Sequence, residues 1–355
     1  MSRRYSGNNS TVGGVIGLAH GRIRADAPDA TRNWAPRGTE QRLPRAEHLQ
    51  QLDGVSFRLA APFDFGFIHN YGTVFKVFDD QDSGNICFGV RADDDQRYFV
   101  KFAGASPIQY LGAPDDAITS LRQAVAVYQD LAHPSLINLV RAEDVGGGFS
   151  LVFDWADAIC AHRQYPDDHR RFKTLPLAVH DQVFRDVLAF HEHVAERGYV
   201  AIDFYDGSIL YDERARRTII CDIDFYERSP ATGKVNQWGS VRFAAPEERI
   251  DGAVVDEVTN VYTMGATAFC LFADSDRSRE AWPLGDALYE VAARAVSDDR
   301  AGRQQSVAQL AREWAISSAT KSGDKRLQAI RDASGSMAGV WPTDWYANYK
   351  RAEWA

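Results

Sequence analysis

The sequence predicts an α+β protein in which a small β-rich unit precedes a larger helical one. Short β-type apolar runs fill residues 47–155, and long apolar patterns at spacings of three and four fill residues 156–314. At 355 residues and 45% hydrophobic, the chain has enough apolar material for two or three packing units.

Residues 1–46 lack periodicity and are rich in Gly, Asn, Arg and Pro, which reads as a mobile arm. The runs Val74–Phe78, Ile86–Val90 and Arg97–Phe102 are β-rich and separated by acidic turns, so each is expected to be a strand. Ala117–Leu131 reads as a helix, because Leu121, Val125, Tyr128 and Leu131 repeat at helical spacing. Its expected N-cap is Asp115 or Asp116 after Pro114, and His133-Pro134 ends it. Two further strands are expected over Leu136–Ala142 and Phe149–Trp155, around Gly146-Gly-Gly148. Helices are then expected over Leu177–Arg197, Asp256–Phe272, Ala287–Val296 and Ser306–Trp314, with short hairpin strands around Ile209 and Ile220. Residues 315–355 read as a polar tail, whose Trp341, Trp345 and Trp354 point to docking on the helical unit.

Charge is unevenly spread. Residues 1–46 hold eight Arg against three acids and residues 315–355 hold six Lys/Arg against four, so the body carries −16 of a total of −9. An acidic body argues against nucleic acid as a partner. The four cysteines (Cys87, Cys160, Cys221 and Cys270) lie in apolar contexts without metal-ligand spacing, as expected of buried thiols in a reducing cytoplasm. His191 and His193 stand two apart on a helix and are expected to be a surface pair rather than a metal site. No apolar run approaches 18 residues, so no membrane partner is expected, and the short Gly-interrupted stretch after Arg3-Arg4 makes a poor export signal.

Three segments carry chemistry. Tyr199-Val-Ala-Ile-Asp203-Phe-Tyr-Asp-Gly-Ser208 and Ile219-Ile-Cys-Asp-Ile-Asp224-Phe-Tyr each place a carboxylate after an apolar run, with Asp203 and Asp224 21 residues apart. Trp238-Gly-Ser-Val-Arg-Phe-Ala-Ala-Pro-Glu247 follows. Upstream, Lys101 sits inside an apolar β run, where an unpaired cation is costly.

In that order the segments resemble the catalytic loop, the Asp-Phe-Gly and the Ala-Pro-Glu of protein kinases. The chain therefore resembles the eukaryotic-like (Hanks-type) Ser/Thr protein kinases of bacteria over about residues 60–314. The resemblance implies a bilobal fold with ATP and Mg2+ (or Mn2+) between the lobes. It casts Asp203 as the catalytic carboxylate, Lys101 as the phosphate-binding lysine and Asp224 as the metal ligand. Glu247 would pair with a buried Arg303, and the backbone of Asp154 and Ala156 would hold adenine. The phosphate loop would be Asp79–Asn85, with N–H groups at Ser83, Gly84 and Asn85; Phe67–Val74 with Gly72 is the alternative.

The departures are also specific. The metal-binding Asn position holds Ser208, which leaves Asp206 and Asp222 as spare carboxylates. Ala201-Ile202 replace the His-Arg before the catalytic Asp, which removes a docking site for an activating phosphate. Tyr226 ends the Asp-Phe-Gly-like triplet and should limit flipping of Asp224. No Glu occurs from Lys101 to Ala142, so the helix lacks its usual carboxylate; Gln123 is nearest in register, and Asp224 or Asp116 is left to pair with Lys101. Asn260 stands for the Asp of the long apolar helix. Three functions stay open: a Ser/Thr protein kinase, a small-molecule (aminoglycoside-type) kinase, and a nucleotide-binding pseudokinase. Ala-Pro-Glu favours the first, Gly207 and the absent lysine at Tyr205 the second, and Ser208 the third.

Overall fold

A computed structural model describes residues 47–234 and 239–319. The expected N-terminal arm, Trp238 and the three tryptophans of the tail lie outside the described residues. The fold is α+β, with a β-rich N-terminal region followed by a helical region.

The N-terminal region opens with a hairpin, β1 (His48–Leu52) and β2 (Val55–Leu59), joined at Asp53-Gly54. A five-stranded antiparallel sheet follows: β3 (Thr73–Phe78), β4 (Asn85–Arg91), β5 (Arg97–Ala103), β6 (Leu139–Val145) and β7 (Gly148–Asp154). The strand order is β3-β4-β5-β7-β6, which puts β5 in the centre. Alternation along β5 divides its side chains between two faces. Val100 and Phe102 pack with Phe57, Phe65 and Phe88 in one aromatic core. Phe99 and Lys101 lie on the other face, toward the helices. Helix α1 (Pro114–Asp130) covers that face through Leu121, Ala124 and Tyr128. It starts earlier than expected: Pro114 fills its first turn, whose lost N–H would be unbonded anyway, and Ala113 rather than Asp115 or Asp116 precedes it.

The helical region comprises α2 (Pro166–Lys173), α3 (Leu177–Glu196), α4 (Glu257–Ala273), α5 (Asp286–Ala295) and α6 (Val307–Ala319). Helix α2 was not evident from periodicity, because Phe172 is its one buried residue. Helix α4 is buried over nearly its whole length, and Asp256 caps it by accepting from the Val258 N–H at 2.9 Å. Helix α6 runs to Ala319, past the expected boundary at residue 314. Its Trp314 is fully buried against Phe184 and Phe272, and its indole donates to Asp181 at 2.9 Å. No described helix is long and apolar enough to cross a membrane.

The expectation of a surface histidine pair is corrected. His191 is fully buried and His193 nearly so, because α3 is covered on more than one side. The His191 Nδ1–H donates to the Val187 carbonyl at 2.8 Å, and Nε2 accepts from the Tyr226 hydroxyl at 2.8 Å. The pair serves packing, and the described residues contain no group of His, Cys, Asp and Glu able to hold a metal by itself.

Candidate functional site

The central position of β5 removes the possibility of an edge-strand lysine reaching into water. Lys101 is only 7% exposed, between Cys87 of β4 and Leu151 of β7. Such a cation needs anionic partners, and it has two. Its Nζ lies 2.7 Å from Asp222 Oδ1 and 2.6 Å from Asp224 Oδ2. Burial opposes the ammonium charge, but the two carboxylates outweigh it and hold the Lys101 pKa well above the ordinary lysine value. Gln123 is exposed and Asp116 takes no part; the inward polar residue of α1 is Tyr128.

The two carboxylates differ in what they face. Asp222 is 39% exposed at its side chain and lines a cavity that β5 and β7 share with the loops of the helical region. Asp224 is 3% exposed at its side chain. Its second oxygen, Oδ1, accepts from the Tyr128 hydroxyl at 2.8 Å, so Lys101 and Tyr128 occupy both oxygens. Both oxygens of Asp224, the expected metal ligand, thus have partners within the protein, and the carboxylate open to the cavity is Asp222. Asp222 also has φ +57°, a left-handed conformation uncommon outside Gly, Asn and Asp. Phe99, Ile137, Phe153 and Leu210 give the cavity apolar walls, while Lys76, Lys101, Asp168 and Asp222 supply its charge.

Asp203 does not itself line this cavity, although Tyr205 and Gly207 of its loop do; it too lies in the left-handed region, at φ +61°. Its loop is fixed from below: the Ala201 N–H donates at 2.8 Å to Asn260 Oδ1, on the fully buried face of α4. Asn260 thus does as an amide acceptor what an Asp would do there. From above, the Ser240 N–H reaches the Asp203 carboxylate, and a Cβ on Gly239 (φ +135°) would come 3.2 Å from Asp203 Oδ1. Burial, with Asp222 and Asp82 adding repulsion, pushes the Asp203 carboxyl well above the ordinary range, and the Ser240 N–H only partly offsets this.

Asp206 is not available as a spare metal ligand. It is buried and accepts both hydrogen bonds of Arg242 Nη2, at 2.8 and 3.0 Å. This ion pair ties residues 239–245 to the Asp203 loop without any modified side chain. Ser208 is different: its carbonyl accepts from the Cys221 N–H at 3.0 Å, which sets it beside Asp222, and its buried Oγ has no partner among the described residues. Ser208 is fully buried and does not line the cavity, so Asp222 is the oxygen ligand exposed there that suits a hard cation such as Mg2+.

The expected phosphate loop is placed differently. Gly84 (φ +83°) packs against α1, and a Cβ there would meet Ala117 Cβ at 2.6 Å. Asn85 is buried and donates to Ser83 Oγ at 3.1 Å. Ser83, Gly84 and Asn85 thus serve the sheet–helix junction, while Gln81 is the loop residue on the cavity wall. Gly72, the alternative, packs on the Arg91 carbonyl. Of the expected adenine contacts, Ala156 lines the cavity. The Asp154 N–H is committed to the Asn138 carbonyl at 3.1 Å, and its carboxylate accepts from Asn138 Nδ2 at 2.9 Å.

Away from the cavity, Glu247 and Arg303 form a buried bidentate pair at 2.7 and 3.0 Å. Arg300 adds a third contact at 2.7 Å. Cys87, Cys160 and Cys221 border the cavity, and burial raises the pKa of all three, Cys87 and Cys160 to about 12. They are neutral thiols near pH 7, not nucleophiles.

No protein-family model matches this chain, and no curated protein matches it.

Proposed function

We propose that the chain is an ATP-dependent phosphotransferase with a divergent protein-kinase-like, two-lobed arrangement. Its acceptor is a serine or threonine hydroxyl of a protein. The observation that carries this is the meeting, at one cavity, of Lys101 from the central strand with Asp222 and the nearby Asp203 loop.

Each residue takes a role its surroundings support. The apolar walls at Phe99, Ile137, Phe153 and Leu210 would sandwich the base. Lys101 would hold phosphate oxygens as a fixed cation. Asp222 would hold Mg2+ or Mn2+, which supplies charge neutralisation between the phosphates. Asp203 would orient the acceptor hydroxyl and take its proton as the oxygen bonds to the γ-phosphorus and the bond to the β-phosphate oxygen breaks. Its raised pKa suits it to that work. Arg242 and Asp206 keep residues 239–245 in place, so no activating phosphate is needed there.

Ser208 in place of an amide, and a glycine loop turned toward α1, favour a second reading as a nucleotide-binding pseudokinase. Incubation with γ-labelled ATP and Mg2+ or Mn2+ separates the two. Label on the chain itself or on a generic protein supports transfer to protein. Label on a small hydroxyl compound moves the acceptor class. Thermal stabilisation by ATP with no transfer supports the pseudokinase.

A further inference from the structure

Helix α1 contains no Glu, yet Lys101 is not left without a link to it. The link runs through the loop after Ile220. Tyr128, one turn from the end of α1, donates its hydroxyl proton to Asp224 Oδ1 at 2.8 Å. The same hydroxyl accepts from the Ile223 N–H at 3.4 Å, so the phenol holds both the carboxylate and its backbone. The other oxygen of Asp224 holds Lys101 at 2.6 Å. The Tyr128 ring is fixed against Phe153 of β7, with centroids 4.9 Å apart. Tyr226, two residues on, is fastened to α3 through His191 at 2.8 Å. Asp224 is therefore pinned from two helices, while Asp222 is left facing the cavity.

We propose that Asp224 and Tyr128 are positioning residues: together they hold Lys101 at the cavity, replacing a direct carboxylate from α1 and leaving Asp222 as the one of the two carboxylates open to a metal. This rests on the phosphotransferase reading for its consequence, but the anchoring of Lys101 can be tested separately. It also makes α1 a part of the site, because any shift of that helix would pull on Asp224 and hence on Lys101.

Two measurements decide it, on the full chain with near-isosteric variants. The first is the rate of acylation of Lys101 by acetic anhydride, read by peptide mass spectrometry without nucleotide or metal. Asp224→Asn should release the amine and raise its acylation roughly tenfold or more, since a charged hydrogen bond is lost. Tyr128→Phe keeps the ring packing and should raise it severalfold. The second is ATP affinity with and without Mg2+. Asp224→Asn should weaken both to the same extent, so that the metal-dependent gain is kept. Asp222→Asn should abolish that gain.

Acylation at the wild-type rate in both Asp224→Asn and Tyr128→Phe would overturn the anchor. Loss of the Mg2+-dependent gain in Asp224→Asn, with its retention in Asp222→Asn, would return the metal to Asp224 and overturn the division of roles. If the wild-type chain binds no ATP, the phosphotransferase reading falls while the acylation series still decides the anchor. Should Asp224→Asn fail to fold, Tyr128→Phe carries the same test.

Discussion

Arg303 and Glu247 face each other in the helical region with both guanidinium–carboxylate bonds made, at 2.7 and 3.0 Å, and Arg303 has no solvent exposure. Thr259 also donates to Glu247, at 2.9 Å, and Arg303 lies over the Tyr262 ring. Burial works against the Glu247 charge, but Arg303 and these hydrogen bonds hold its pKa below the ordinary value. Removing Glu247 strands a fully buried Arg303, and removing Arg303 leaves Glu247 only Thr259 and the partly exposed Arg300, so Arg303→Met should cost about 3 kcal/mol in denaturant unfolding. Arg300→Met should cost less, because Arg300 is partly exposed and its pair is partly screened.

Asp203 is predicted to matter for transfer and not for nucleotide affinity. Asp203→Asn should lower the turnover rate by about 10²–10⁴-fold with ATP affinity retained. Single-turnover transfer and nucleotide titration on the same preparation check this. Full activity in the variant would remove Asp203 from its assigned role.

The pH profile should carry the mark of that residue. Burial, then the charges of Asp222 and Asp82, raise the Asp203 pKa above the usual carboxylate range. In the proposed role Asp203 takes a proton and so acts in its ionised form, and kcat/KM should then rise with pH through a midpoint above that range. A profile flat down to ordinary carboxylate pH would count against it.

Gly84 should resist substitution for reasons of packing rather than catalysis. Its φ of +83° and the 2.6 Å approach to Ala117 Cβ leave no room for a methyl group. Gly84→Ala should destabilise the fold by about 1–3 kcal/mol, measured by thermal or denaturant unfolding.

Acid should destabilise the protein partly through His191. Burial lowers its pKa from 6.5 to about 3 in the fold. The unfolded chain therefore takes up this proton first as pH falls. The contribution is fully present above the ordinary value of 6.5 and is lost progressively toward about 3. In that window the slope of unfolding free energy against pH should be smaller in His191→Gln by about 1.4 kcal/mol per pH unit.

Much of this architecture could be read from residues alone, because strands and helices announce themselves by period. Four strands of the five-stranded sheet follow apolar runs, and α3 and α4 follow long apolar stripes; β6 (Leu139–Val145) carries Arg141, Glu143 and Asp144 and lies three residues beyond the expected Leu136–Ala142. Lys101 stood out because a cation inside an apolar strand demands partners. Which of Asp222 and Asp224 faces the cavity was not legible, since two carboxylates two residues apart in a loop carry no periodic signal. The left-handed turn at Asp222 decides it, and that is a backbone property. Tyr128 counted as one more apolar position of α1, although the missing Glu was a hint that something else must tie the helix to the lysine. The role of Asp206 was hidden because its partner Arg242 lies 36 residues away. Gly84 looked like a phosphate loop because a lone glycine in a hairpin does not say whether it admits a ligand or a neighbouring helix.

Titration of the chain with ATP, with and without Mg2+, in the wild type and in Lys101→Met tests the account most directly. The cavity reading predicts saturable binding that Mg2+ tightens, and a loss of roughly tenfold or more in affinity when the cation is removed. Equal affinity in the two proteins, or no binding by the wild type, would contradict it.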